Sequence, residues 1–207
     1  MPRPRNKKPI LLLIAGPNGS GKSTTVARLS QVGQLGVLVN ADVIADSMAR
    51  RKGEGRPSPE TQWQAALAAE EMRWALVSQR VSFATETVMS DLDRWPRFIL
   101  EAKSQGYRIV LFFITTRDPS INVGRVAERV LAGGHAVDQN KIVNRFHKVM
   151  QQVLPVVLNL VDEALLFDNS EIKTGAVAVL AKSDGRLTPL VLENLLPDWA
   201  AKLLKLH

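Results

Sequence analysis

The chain has 207 residues, 45% of them hydrophobic and 23% charged, with 27 Lys and Arg against 20 Asp and Glu, a formal net charge of +7 and no cysteine. That is long enough for one domain with a real core. It excludes disulfides and thiolate metal sites, holds no apolar run long enough to span a bilayer, and suits a reducing cytoplasm. The basic surplus does not argue for nucleic acid: Arg3, Arg5, Lys7 and Lys8 crowd the amino terminus, the other basic residues are scattered, and aromatics make up only 5% of the chain.

Residues 1–9 read as a basic, disordered arm. The apolar segment after them is too short for a signal peptide and runs into a glycine-rich loop rather than a cleavage site. Residues 10–207 read as a single domain. Its first strand, residues 10–15, leads directly into Gly16-Pro17-Asn18-Gly19-Ser20-Gly21-Lys22-Ser23. This octapeptide satisfies the phosphate-loop pattern G-x-x-x-x-G-K-[ST] in the strand–loop–helix setting that the pattern needs. The glycines let the backbone turn so that successive N–H groups face a triphosphate. Lys22 is placed to reach the β- and γ-phosphates and the Ser23 hydroxyl to bind Mg²⁺. Thr24 continues into a helix over residues 23–29, whose positive end faces the same anion. Residues 16–24 are therefore the expected ATP site.

Further strands are expected at 37–40, 81–85, 108–115, 164–167 and 176–181, and helices at 41–51, 59–78, 94–104, 121–131 and 141–161. Alternation of this kind predicts an α/β fold of three layers, with βαβ units around a central, mainly parallel sheet. The strands are continuously apolar, as expected when both faces are covered. Asp184-Gly185, between apolar residues 176–181 and 187–190, signals a hairpin. A short helix is expected after Leu196-Pro-Asp-Trp199.

In parallel α/β sheets ligands bind beyond the C-terminal strand ends, so the polar residues there carry the chemistry. The second strand ends in Asn40-Ala-Asp42, twenty residues after Lys22. A carboxylate there can accept a substrate hydroxyl proton as the oxygen attacks a γ-phosphate, or it can cap the following helix. Glu86, at the end of the third strand, can hold Mg²⁺ through water or bind substrate hydroxyls, or stand as a solvated loop carboxylate. Arg125, Arg129 and Arg145 surround Gly133-Gly134-His135. Helix, glycine break and helix form a plausible arginine-bearing lid over a triphosphate, with a solvated arginine face as the alternative. His135 suits a loop contact as well as catalysis. Asp168-Asn169-Ser170 can contact the base or sugar of ATP or form a turn. No strand ends in the acidic pair of a motor ATPase, which favours a small-molecule or nucleotide kinase over a mechanical ATPase, with a metabolic kinase of a nucleoside, sugar or dinucleotide and a nucleic-acid-associated ATPase as the alternative readings.

This ordered set resembles the zeta-toxin family of P-loop kinases, in its short, single-domain bacterial branch. The residues that carry the likeness are Gly16 to Thr24, Asn40-Ala-Asp42, Phe83-Ala-Thr-Glu-Thr87 with Ser90, Arg125-Val-x-x-Arg129-Val-x-x-Gly-Gly-His135, Ile142-x-x-Arg145-Phe146 and Asp168-Asn-Ser170. The resemblance implies a P-loop kinase fold and transfer of the γ-phosphate of ATP, with Mg²⁺, to the 3′-hydroxyl of the aminosugar of UDP-N-acetylglucosamine. It implies catalytic roles for Asp42 as base, Lys22, Arg129 and Arg145. Substrate contacts would come from Asn40, Glu86, Thr87 and Arg125, ATP contacts from Asn169, and metal binding from Ser23 with Glu86. A cognate antitoxin protein is the implied partner. The sequence departs from the family pattern at Ala136-Val-Asp-Gln-Asn140 and Thr87-Val88-Met89, both on the lid and acceptor side.

Overall fold

The apolar residues 10–15 become β1 (Ile10–Ala15), which lies between two parallel partners, β3 (Phe83–Thr87) and β4 (Arg108–Thr115). The computed structural model describes residues 8–31, 36–134 and 136–206. Of the arm expected over residues 1–9, residues 1–7 lie outside that set, and so does His135. The Pro9 carbonyl already accepts a sheet-like hydrogen bond from Arg108 N–H, at 2.9 Å.

Among the described residues the sheet has seven strands, in the order β2-β3-β1-β4-β5-β6-β7. β2 (Val37–Val39) and β5 (Glu163–Asp168) extend the parallel part, whereas β6 (Val177–Ser183) and β7 (Arg186–Pro189) form the antiparallel edge. The expected hairpin joins that last pair through Asp184 and Gly185, at φ +49° and +76°. Two positive φ values in succession are what a tight turn matched to strand twist requires.

Both faces of the sheet are covered, which explains the unbroken apolar strands. Leu11, Leu13 and Ala15 project into the larger core. There they join Phe98 and Ile99 of α4 (Arg94–Ser104), Val157 and Leu158 of α7 (Leu154–Leu160), and Ala69 and Val77 of α3 (Pro59–Ser78). Ile14, Ala84 and Ile114 project the other way, against Val26 of α1 (Lys22–Gln31). The layers are completed by α2 (Ala41–Lys52), α5 (Pro119–Leu131), α6 (Gln139–Lys148) and α8 (Asp198–Leu204). Among the described residues no helix is long and apolar enough to cross a membrane.

Two departures from the expected elements matter. The third strand was expected at 81–85 but runs over Phe83–Thr87, because its register is set by β1, with Leu11 opposite Phe83 and Ala15 opposite Thr87. Glu86 and Thr87 are thereby held in the sheet. The single helix expected over residues 141–161 is instead α6, a π-helical turn at Val149–Val153, and α7. Pro155 supplies the reason: it has no N–H, and its ring would crowd the carbonyl four residues back. A wider turn relieves this, with Leu154 N–H donating to the Val149 carbonyl five residues back.

Phe113 is fully buried at the centre of the larger core. Phe113→Ala is expected to destabilise the protein by about 3–5 kcal/mol in urea unfolding. Leu100→Ala, at a largely exposed position, is expected to change stability by less than about 0.5 kcal/mol.

Candidate active site

The loop after β1 is fixed by close approach. Gly16 has φ +147°, and a Cβ there would sit 1.9 Å from the Ile114 carbonyl oxygen. Gly21, at φ +99°, leaves no room either: a Cβ would lie 2.2 Å from the Asn169 amide nitrogen. Side chains from three other elements hold the loop through its own carbonyls and Asn18. Asn169 Nδ2 donates to the Ser20 carbonyl at 2.7 Å, and Asn122 Nδ2 of α5 to the Asn18 carbonyl at 2.6 Å. Arg145 Nη1 of α6 donates to Asn18 Oδ1 at 3.3 Å. Asn122 is fully buried and also accepts from the Thr116 hydroxyl.

Lys22, at the first turn of α1, is only 8% exposed, and its ammonium donates to the Pro17 carbonyl at 2.9 Å. Burial pushes its pKa down to about 8. The Glu86 and Asp42 carboxylates oppose that fall, while Arg129 and Arg145 add to it. These charges therefore share one electrostatic environment.

Beside the loop, Glu86 Oε1 accepts from the Ser23 hydroxyl at 3.0 Å and Glu86 Oε2 from Asn40 Nδ2 at 2.7 Å. Desolvation pushes the Glu86 carboxyl upward, against the pull of Lys22 and these two hydrogen bonds. This is not a solvated loop carboxylate. The other end of the Asn40 amide caps α2, Oδ1 accepting from Asp42 N–H at 2.8 Å and Val43 N–H at 3.3 Å. The helix cap expected as one role for Asp42 thus falls to Asn40, and the Asp42 carboxylate stands in the first turn of α2 on the cleft. Thr87 Oγ1 accepts from Met89 N–H at 2.9 Å, in a turn where Met89 takes φ +56°.

These residues line a cleft of about 640 Å³ that includes Asn18, Gly19, Gly21, Lys22, Ser23 and Thr24 of the loop region. Asn40, Asp42, Glu86 and Thr87 face it from the strand ends, and Arg125, Arg129 and Arg145 from α5 and α6. Gly134 packs so closely on Arg129 that a Cβ would meet its Cγ at 2.6 Å. Arg125 Nη2 reaches the Ser170 carbonyl at 3.5 Å, and its Nη1 is buried without a partner. Asn169 does not line the cleft; it braces the loop from behind. Its neighbours form the turn that was the alternative: Ser170 N–H donates to Asp168 Oδ1 at 3.0 Å, while Trp199 Nε1 donates to Asp168 Oδ2 at 2.9 Å.

Two groups of residues escaped the sequence reading. Asn122 carried no motif signal. Arg73 of α3, with Arg94 and Trp95 of α4, also lines the cleft. Its signal was present: Thr61, Ala65, Ala69, Arg73 and Val77 follow four-residue spacing on the buried face of α3, where an arginine is out of character.

A hydroxyl and a buried carboxylate next to a phosphate loop suit a hard, oxygen-seeking cation such as Mg²⁺, which keeps several waters and shares phosphate oxygens. Ser23 and Glu86 fit that demand. Among the described residues no group of three or more His, Cys, Asp or Glu side chains could hold a metal by itself.

The zeta-toxin family model matches residues 1–184. The chain belongs to the zeta-toxin family. A curated relative, the adenylate kinase of Deinococcus radiodurans, is 33% identical over 104 residues, 50% of this chain and 51% of that protein. The chain therefore spans about half the length of the curated relative that it matches. Among solved structures, the AvrRxo1-ORF1:-ORF2 complex with ATP aligns with TM-score 0.68 and 18% identity, over 89% of this chain and 61% of that one. The PezAT chromosomal toxin–antitoxin system of Streptococcus pneumoniae aligns with TM-score 0.62 and 18% identity, over 97% and 84%. At such identities the likeness is one of fold: the zeta-toxin chain has the P-loop kinase architecture.

Lys22 gives the site a pH dependence with a definite sign. Its folded pKa of about 8 lies below the ordinary 10.5, so the unfolded chain holds more protons between those values. The Lys22 contribution to the stability of the nucleotide-free protein therefore rises with pH across that window. Added phosphates restore the charged lysine. Calorimetric titration with ATP is expected to show proton uptake and up to about tenfold weaker binding per pH unit above pH 8, with neither near neutrality.

Proposed function

We propose that this protein is an ATP-dependent kinase that transfers the γ-phosphate to a hydroxyl of a nucleotide sugar, the 3′-hydroxyl of the aminosugar of UDP-N-acetylglucosamine. The observation that carries the transferase reading is the position of Asp42. It shares the cleft with Lys22, and Asn40 relieves it of capping. Family membership supports the choice of acceptor.

In this reading the acceptor hydroxyl donates its proton to the Asp42 carboxylate as its oxygen attacks the γ-phosphorus. The bond from the γ-phosphorus to the bridging oxygen breaks, and ADP leaves. Lys22, Arg129 and Arg145 offset the charge on the transferring group. Ser23 and Glu86 would hold Mg²⁺, which would supply charge neutralisation across the β- and γ-phosphates. Thr87 and Asn40 face the acceptor, and Arg125 closes the lid side. Asn169 acts on ATP indirectly, by shaping the loop. A protein antitoxin is the partner proposed, from the family and from the fold shared with PezAT.

Asp42→Asn is expected to lower turnover by about 10²–10⁴-fold with ATP affinity unchanged within a few-fold, measured with labelled ATP and by calorimetry. A variant that keeps most of its turnover would remove Asp42 as the base. An acceptor panel of UDP-sugars, NAD, nucleosides and AMP tests the second half. Transfer to AMP or NAD alone would overturn the UDP-sugar assignment and leave the kinase standing.

A further inference from the structure

A second cavity, of about 430 Å³, is lined by Arg117 and by residues 194–199. The family model matches residues 1–184, so every lining residue except Arg117 lies beyond that match. Hydrogen bonds fix the cavity over the ends of two strands. Arg117 follows β4, and its N–H donates to Ser170 Oγ at 2.8 Å. Trp199, in the first turn of α8, donates from Nε1 to Asp168 Oδ2 at the end of β5. Leu196 and Trp199 also pack against the larger core, which seats the segment on the sheet. Ser170 links this cavity to the cleft: its carbonyl lies 3.5 Å from Nη2 of Arg125, a cleft residue.

Strand order gives the cavity a place relative to the reaction. Asp42 follows β2 and the phosphate loop follows β1, while β4 and β5 lie on the far side of β1. Phosphoryl transfer runs between oxygens roughly in line across the phosphorus. An acceptor at Asp42 therefore sends the leaving diphosphate the other way. The nucleoside attached to it is directed over β4 and β5, toward Arg125, Ser170 and the second cavity.

The lining suits a flat heteroaromatic ring. Trp199 has its one polar atom engaged by Asp168, so the rest of the indole offers ring surface. Leu195, Leu196 and Pro197 add apolar surface. Arg117 is held along one edge, with Nε 3.8 Å from Asp168 and Nη1 3.7 Å from Glu171. Ion pairs at its edge leave a guanidinium able to stack through its face on an aromatic ring. The Asn194 amide carries both donors and an acceptor, the combination that reads a nucleobase edge. Apolar walls with a few polar groups are the usual make-up of a small-molecule site.

We infer that Arg117 and the segment 194–199 form a clamp for the base of the phosphate donor, so that base recognition comes from beyond the residues that carry family membership. This inference rests on the kinase reading, which puts a nucleotide on the phosphate loop.

The test compares ADP with ribose 5-diphosphate, which lacks only the base, by calorimetry on the full-length protein with Mg²⁺. The wild type is expected to bind ADP about tenfold or more tightly than ribose 5-diphosphate. Arg117→Ala and Asn194→Ala, both at exposed positions, are each expected to weaken ADP about three- to tenfold. Both variants should keep ribose 5-diphosphate affinity within twofold. ADP, unlike ribose 5-diphosphate, is expected to change the tryptophan fluorescence of the wild type, and Trp199→Phe to abolish that change. A change that persists in Trp199→Phe would overturn the clamp. So would equal wild-type affinity for the two ligands, or ADP affinity unchanged in either alanine variant; the nucleotide site on the phosphate loop would still stand. Parallel loss of both ligands in Arg117→Ala would assign that residue to the phosphate site or the fold and overturn the inference. A wild-type protein that binds neither ligand would overturn the kinase reading and this inference together.

Discussion

The Asn40 amide holds the site together by using both of its ends at once. Its oxygen caps α2, fixing where Asp42 stands. Its nitrogen holds Glu86, which in turn receives the Ser23 hydroxyl. One neutral side chain thus ties three strand ends into a single frame: the loop after β1, the start of α2 and the end of β3. A charged residue could not take its place. An aspartate would cap the helix equally well but would repel Glu86, and a lysine would hold Glu86 but leave the first-turn amides unsatisfied.

Around this frame the electrostatics are lopsided by design of the fold. Lys22, Arg125, Arg129, Arg145, Arg73 and Arg94 converge on the cleft, against Asp42, Glu86 and Asp91. Such a cavity is poorly matched to water and well matched to polyanions. The depressed pKa of Lys22 and the raised pKa of Glu86 have the same leading cause, desolvation. A counter-charge brought into the cleft would favour the charged form of each.

Most of the architecture could be read in the chain because its signals are local. The octapeptide after an apolar run, Pro59 and Pro119 at helix starts, and Asp184-Gly185 in the hairpin each act within a few residues. What the sequence hid was set by partners far away. Glu86 and Thr87 lie within β3 because β1 dictates the register. The Asp42 ambiguity depended on which of two neighbouring polar residues took the helix end, and a second acceptor, Glu86, drew Asn40 into that role from 46 residues away. Asn122 braces Asn18 across 104 residues, a pairing no local pattern announces. Arg73 alone left a usable trace, as a charge in the apolar spacing of α3.

The π-helical turn at Val149–Val153 sets the rotational phase between two jobs. Upstream, α6 aims Arg145 at the loop; downstream, α7 seats Val157 and Leu158 in the core. In a regular helix these orientations would be locked together at about 100° per residue. The extra residue in the wide turn lets each half keep its own heading. Removing one residue there would swing the arginine about 100° away from the loop relative to Val157 and Leu158. The aim of Arg145 at the phosphate loop is therefore stored in the chain length of a buried turn as much as in the arginine itself.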